Sequence, residues 1–150
     1  MLWDWADSSS VLAEATKRLE VLAIKVAEQE ELIFKYNKKE TIEKDLLYEK
    51  LTGLKKDVEQ KILVVINQDL YQLYYCDEAE DNYKAIKVWP AFRTRIEAGW
   101  AEIKERIDEL DCYISNKGYK NNGEKYCDVK QVITQDDYLI IDVFARKEKL

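Results

Sequence analysis

The sequence predicts a mainly α fold, a three-helix antiparallel bundle with coiled-coil-like seams and a small C-terminal β-hairpin. Three observations predict it. Only four glycines and one proline interrupt 150 residues, and tight turns and loops draw on those residue types. Leu12, Leu19, Val26 and Ile33 recur at seven, as do Ala15, Leu22, Gln29 and Tyr36 three positions later; this is the a/d seam of packed helices. Phe92, Ile96, Trp100, Ile103, Ile107, Leu110 and Ile114 form an apolar stripe at helical spacing, with charged residues between them.

Residues 1–8 read as an N-terminal arm, and Ser8, Ser9 and Ser10 offer N-cap oxygens to a first helix over 9–36. Gln29 is the polar seam position that sets register. Asn37 suits a left-handed C-cap and Thr41 the next N-cap. A second helix over 41–76 follows, carried by Leu47, Leu51, Leu54, Val58, Ile62, Val65, Ile66, Leu70 and Leu73, with Gly53 as its weak point. The alternative is one unbroken helix over 9–76, which requires an elongated oligomer. Trp89-Pro90 marks the start of the third helix, since proline suits a first helical turn. Ser115-Asn116-Lys117-Gly118 ends it and closes the bundle at 117. Over 118–150, Asn121-Asn122-Gly123 is a turn, and two β-branched runs, Tyr126 to Ile133 and Tyr138 to Ala145, flank Thr134-Gln135-Asp136-Asp137. A fourth helix over 134–148 is the alternative there. No internal sequence repeat stands out, and the whole reads as a single domain of 1–150.

Composition narrows the chemistry. The chain has no histidine, which removes the Ser-His-Asp, Cys-His, HExxH and Glu-x-x-His patterns. No glycine-rich phosphate loop is present either. Cys76, Cys112 and Cys127 are odd in number and widely spaced, as expected of reduced thiols in a cytoplasmic protein. The acids Asp4 and Asp7 stand where a signal peptide needs bases, and Ile62-Leu63-Val64-Val65-Ile66 is far too short for a membrane span. The net charge of -6 and the lack of a basic stripe argue against direct nucleic-acid binding.

Four acids and no base fall between Asp77 and Asn82. Asp77, Glu78, Glu80 and Asp81 therefore suggest a docking loop for a basic partner protein, with Tyr74 and Tyr75 as aromatic anchors and Trp3 and Trp5 as a second candidate surface. The expected function is a non-catalytic protein-interaction module, such as an adaptor or a small acidic inhibitor, with neither cofactor nor metal. The alternatives are a homo-oligomeric coiled-coil assembly protein and a helical-bundle enzyme or ligand carrier using carboxylates. A functional carboxylate should interrupt a buried face, because burial is what shifts its pKa. Asp69 comes closest to that criterion, whereas Glu28, Glu31, Glu102 and Glu105 lie on charge-rich faces.

Overall fold

The chain builds mostly strand. The structure, a computed structural model, describes residues 24–55, 59–79 and 81–150. In chain order its elements are β1 (Val26–Tyr36), β2 (Lys38–Ile42), α1 (Lys44–Leu54), β3 (Ile62–Asn67), β4 (Leu70–Tyr75), β5 (Lys84–Gly99), a 3-10 turn at Trp100–Glu102 running into α2 (Ile103–Asn116), β6 (Lys125–Ile133), and, after a 3-10 turn at Thr134–Asp136, β7 (Tyr138–Arg146). All seven strands join one antiparallel sheet in the order β1-β5-β7-β6-β3-β4-β2.

That order contains a repeat of topology. β2-α1-β3-β4 and β5-α2-β6-β7 each run strand, helix, strand, strand, with the last strand inserted between the other two. The halves meet where β3 pairs with β6, from Ile62↔Val129 to Ile66↔Lys125. Each helix packs on its own half of the sheet, burying Leu47 and Leu51 from α1 and Ile103, Leu110 and Ile114 from α2 against Val64, Leu73, Phe92, Ile96, Val143 and their neighbours.

The other face is closed by the chain itself. β1 follows β5 as far as Tyr36↔Lys84, and after the single residue Asn37 the chain continues as β2, beginning at Lys38↔Tyr75 of β4. One continuous stretch thus bonds to β5, the outer strand of one half, and, as β2, to β4, the middle strand of the other, and the sheet curls into a barrel-like closure. Asn37 pins the crossing point: its backbone N–H donates to Tyr75 O at 3.2 Å, its Nδ2 donates to Asp77 O at 2.6 Å, and its Oδ1 accepts from Asp77 N at 2.6 Å. Leu32, Phe34, Leu63, Val65, Tyr74, Val88, Ala91, Tyr126 and Phe144 fill the interior. At the edge of that interior the buried Asp142 carboxylate receives a two-pronged contact from Arg95, with Nε at 2.8 Å and Nη2 at 3.1 Å.

These elements correct the helical expectation. The three-helix bundle and its coiled-coil seams are replaced by the sheet. Val26 and Ile33, half of the first heptad series, lie in β1; residues 1–23 are outside the described residues. Among the described residues of the second predicted helix only Lys44–Leu54 is helical, and its aliphatic run Ile62–Ile66 lies in β3. Pro90 does not open a helix: it lies in β5, where the register with β1 shifts, a place at which a strand tolerates a residue without an N–H. The C-terminal pair β6 and β7 occupies the expected hairpin segment, but as inner strands of the sheet and not as an appendage to a bundle. Among the described residues no helix is long and apolar enough to cross a membrane.

Candidate functional site

Two helices lying on separate halves of a sheet leave the seam between them uncovered, and that seam is the site. A cavity of about 530 Å³ opens there. Its floor is Val64 and Ile66 of β3, Cys127 and Val129 of β6, and Leu139 and Ile141 of β7. These alternate with barrel-interior residues along their strands, so one strand period serves both layers. α1 contributes Lys44, Leu47 and Leu51; the other wall is Trp100, Ala101, Ile103, Lys104, Ile107, Asp108 and Asp111. Gln68, Asp69, Asn122 and Gly123 complete the lining from two turns.

Both ends carry specific contacts. At one, the Tyr48 ring of α1 meets Trp100 with centroids 5.5 Å apart, while Trp100 N donates to Asp137 O at 2.8 Å. Helix α1 is thereby tied to the start of α2. At the other end the buried Lys125 ammonium lies 2.8 Å from Asp111 Oδ1 and donates to Gly123 O at 2.8 Å. Asp111 Oδ1 also accepts the N–H of Asn122 at 3.0 Å. Asn122 holds a left-handed backbone, φ 58°, which asparagine tolerates better than most residues. Lys125 and Gly123 also border a smaller cavity of about 240 Å³, so this ion pair stands beside the partition between two spaces.

The electrostatics are balanced. Lys44, Lys104 and Lys125 face Asp69, Asp108 and Asp111 around the cavity, and its deepest charges neutralise each other. Burial pushes the Cys127 thiol up to about 12, so it serves as a small neutral floor group and not as a thiolate nucleophile. Burial first, and then the Asp69 charge, raise the Tyr71 phenol, which remains a neutral donor at pH 7. The result is an apolar slot with polar groups at its rim and one end, an arrangement that can hold and orient a small amphipathic molecule. Among the described residues no three His, Cys, Asp or Glu side chains gather as a metal-ligand set.

The residues singled out by sequence are dispersed. Tyr74 is buried in the barrel with its hydroxyl on Gln72 Oε1 at 2.9 Å and its ring edge-on to Tyr36 at 4.7 Å. Tyr75, the next residue, packs against the helix-side core. Neighbours on a strand face opposite ways, so the two rings do not form one patch. Asp77 is partly buried: it bonds to Asn37 through its backbone, and its Oδ1 accepts the Ala79 N–H at 3.1 Å. Glu78 and Asp81 are exposed on the connection to β5, beside the exposed Tyr83. Glu80, Trp3 and Trp5 lie outside the described residues.

Asp69 does line the cavity, from the turn joining β3 to β4. The criterion that singled it out applies better to Asp111, one turn after Ile107 and beside Leu110 in the α2 stripe. Lys125 was legible by the same logic, because it stands on the buried face that Cys127 and Val129 continue. Sequence reasoning missed Lys125, Asp111 and Trp100 as a set, since nothing local says that they share one cavity.

Two solved structures superpose in part on this chain. A Staphylococcus aureus protein whose description names bacterial transcription regulation superposes with a TM-score of 0.47 at 10% identity, over 83% of this chain and 97% of its own. SAV2435, solved bound to tetraphenylphosphonium, gives 0.46 at 11% identity, over 81% and 91%. No curated protein matches the sequence. The family model of DUF5975, described as a family of unknown function, matches residues 30–146, from within β1 to the end of β7, and the chain belongs to that family.

Proposed function

We propose that this protein is a non-catalytic small-molecule-binding module whose ligand occupies the cavity between α1 and α2. The observation that carries the reading is the cavity itself: about 530 Å³, floored by apolar strand residues and edged by a few polar groups, which is the size and lining typical of ligand pockets. The Tyr48–Trp100 contact and the Lys125–Asp111 pair hold its two ends in place before any ligand arrives, and preorganisation lowers the cost of binding. A reducing cytoplasmic setting suits the free cysteines Cys76, Cys112 and Cys127.

A thermal-shift screen against small aromatic and amphipathic compounds tests this. A ligand at one hundred times its Kd stabilises by about 2.7 kcal/mol, a rise in Tm of about 5–10 °C for a chain of this size. Ala101→Trp, at an exposed position on the cavity wall, should fold normally and lose the response. A screen without hits on the wild type, or hits that act equally on Ala101→Trp, would overturn the proposal.

The exposed acids Glu78 and Asp81 beside Tyr83 favour a second reading, in which the connection between β4 and β5 docks a basic partner protein. Charge-neutralising all of Asp77, Glu78, Glu80 and Asp81 should then slow association and reduce its salt dependence, with folding intact. An unchanged association rate for a captured partner excludes it.

A further inference from the structure

We infer that the ligand of the larger cavity is a neutral molecule with an apolar body and a carboxamide-like edge, an acceptor beside a donor, laid against Lys125 and Asp111. The inference rests on the reading of that cavity as a ligand site. An ammonium group has three N–H donors. Lys125 directs one to Asp111 Oδ1 and one to Gly123 O, each at 2.8 Å. Among the described residues the third meets no acceptor, although the side chain is only 4% exposed. Asp111 is the mirror case. Its Oδ1 takes both the Lys125 ammonium and the Asn122 N–H, while its Oδ2 accepts from no described residue. Buried polar groups are nearly always paired, so a donor and an acceptor left over on one ion pair point to a group that supplies both partners.

Lys125 borders both cavities, but Asp111 lines the larger and not the smaller. A ligand can therefore meet the pair together only between α1 and α2. The fold itself does not call for charge there. In one half of the topological repeat β3 sets Ile62, Val64 and Ile66 on this face, whereas in the other β6 sets Lys125, Cys127 and Val129. Apolar replacement of a buried ion pair often leaves a protein as stable or more so, so the pair is read as recognition and not as a need of the core. Charge then selects the head group. An anion bonded to Lys125 would lie against the Asp111 carboxylate, and a cation bonded to Asp111 would lie against the Lys125 ammonium. Either would weaken the pairing that neutralises the two buried charges. The remaining lining charges, Lys44 and Lys104 against Asp69 and Asp108, cancel in number and favour neither sign. A carboxamide or lactam carries C=O and N–H side by side with no net charge, and so completes both members of the pair.

Shape-matched probes separate the head groups: biphenyl-4-carboxamide, its N,N-dimethyl form, biphenyl-4-carboxylate and biphenyl-4-ylmethylammonium, each titrated against the full chain by ligand-observed NMR. The carboxamide should bind about tenfold or more tighter than each of the others, because a hydrogen bond to a buried charged group, left unmade, costs at least that factor. Asp111→Asn keeps an oxygen for Lys125 and for the Asn122 N–H but removes the negative charge. In that variant the carboxylate should gain on the carboxamide by about tenfold or more. Should Asp111→Asn not unfold cooperatively, the wild-type series decides by itself. Equal affinities across the probes, a charged probe that binds wild type more tightly than the carboxamide, no binding by any probe, or an unchanged order in a folded Asp111→Asn would overturn the head-group assignment. The reading of the cavity as a ligand site fails separately: probes that bind Ala101→Trp as well as wild type lie elsewhere and overturn both.

Discussion

Cys127 shows how the fold changes a residue's chemistry. Its thiol moves from an ordinary value of 9.0 up to about 12 because burial disfavours the thiolate. Between those values the folded state retains a proton that the unfolded state has released, so stability is full below pH 9 and falls as the pH rises towards 12. The slope is at most about 1.4 kcal/mol per pH unit. The half-buried Tyr71 and the buried Tyr126, both raised from 10.0 first by burial, add to the loss at higher pH. Urea unfolding of wild type and Cys127→Val from pH 8 to 10.5 isolates the thiol: the variant should gain on the wild type above about pH 9 and show a constant difference below it. In native labelling, the exposed Cys112 should react with iodoacetamide and the buried Cys127 should not. The Lys125–Asp111 pair gives a second prediction. Lys125→Met leaves a largely buried carboxylate without its cation and should cost about 3–5 kcal/mol in denaturant unfolding. Asp111→Ala combined with Lys125→Met should cost clearly less than the two single losses added together.

At the scale of elements, the sequence is ambiguous where spacing by four serves two structures. Phe92 and Ile96 are four apart, which fits one face of a helix and also one face of a strand. The residues between them decide. Arg93, Arg95 and Glu97 alternate with the buried Phe92, Thr94, Ile96 and Ala98, a period of two, and the buried Thr94 hydroxyl donates to Lys25 O at 2.9 Å. From Ile103 onward the same stripe is truly helical. Counting glycines also misled, because several turns here use other residues in the left-handed region: Gln68 at φ 54°, Asn122 at 58° and Asp137 at 48°. Gly53 is different. It lies in α1, and a Cβ added there meets nothing within 4 Å. Gly53→Ala should stabilise the protein by about 0.5–1 kcal/mol, seen as a higher urea midpoint with an unchanged slope.

At the scale of the whole molecule, the crossing at Asn37 joins the two halves of the sheet into one closed object. Asn37→Ala removes both side-chain bonds to the Asp77 backbone and should cost about 1–3 kcal/mol at the usual net value per bond. Hydrogen exchange should report loosening first in β1 and β2, because their pairing meets at that residue. Uniform loss of protection across β6 and β7 as well would show that the closure governs the whole barrel at once.

The sequence by itself determined the chemistry this protein is denied, with no histidine and no phosphate loop, and it located the features written in adjacent residues: the stripe of α2, the Asn122-Gly123 turn, and the β-branched runs of β6 and β7. Such features depend on neighbours a few positions apart, and their period can be counted. Only the tertiary structure decided that α1 ends at Leu54, that Tyr74 and Tyr75 part to opposite layers, and that Asp111, Lys125 and Trp100 border one cavity. Strand pairing brings together residues as distant as Val26 and Thr94 or Ile62 and Val129. Burial on a sheet is set by that pairing and its register, which no local window of the chain contains.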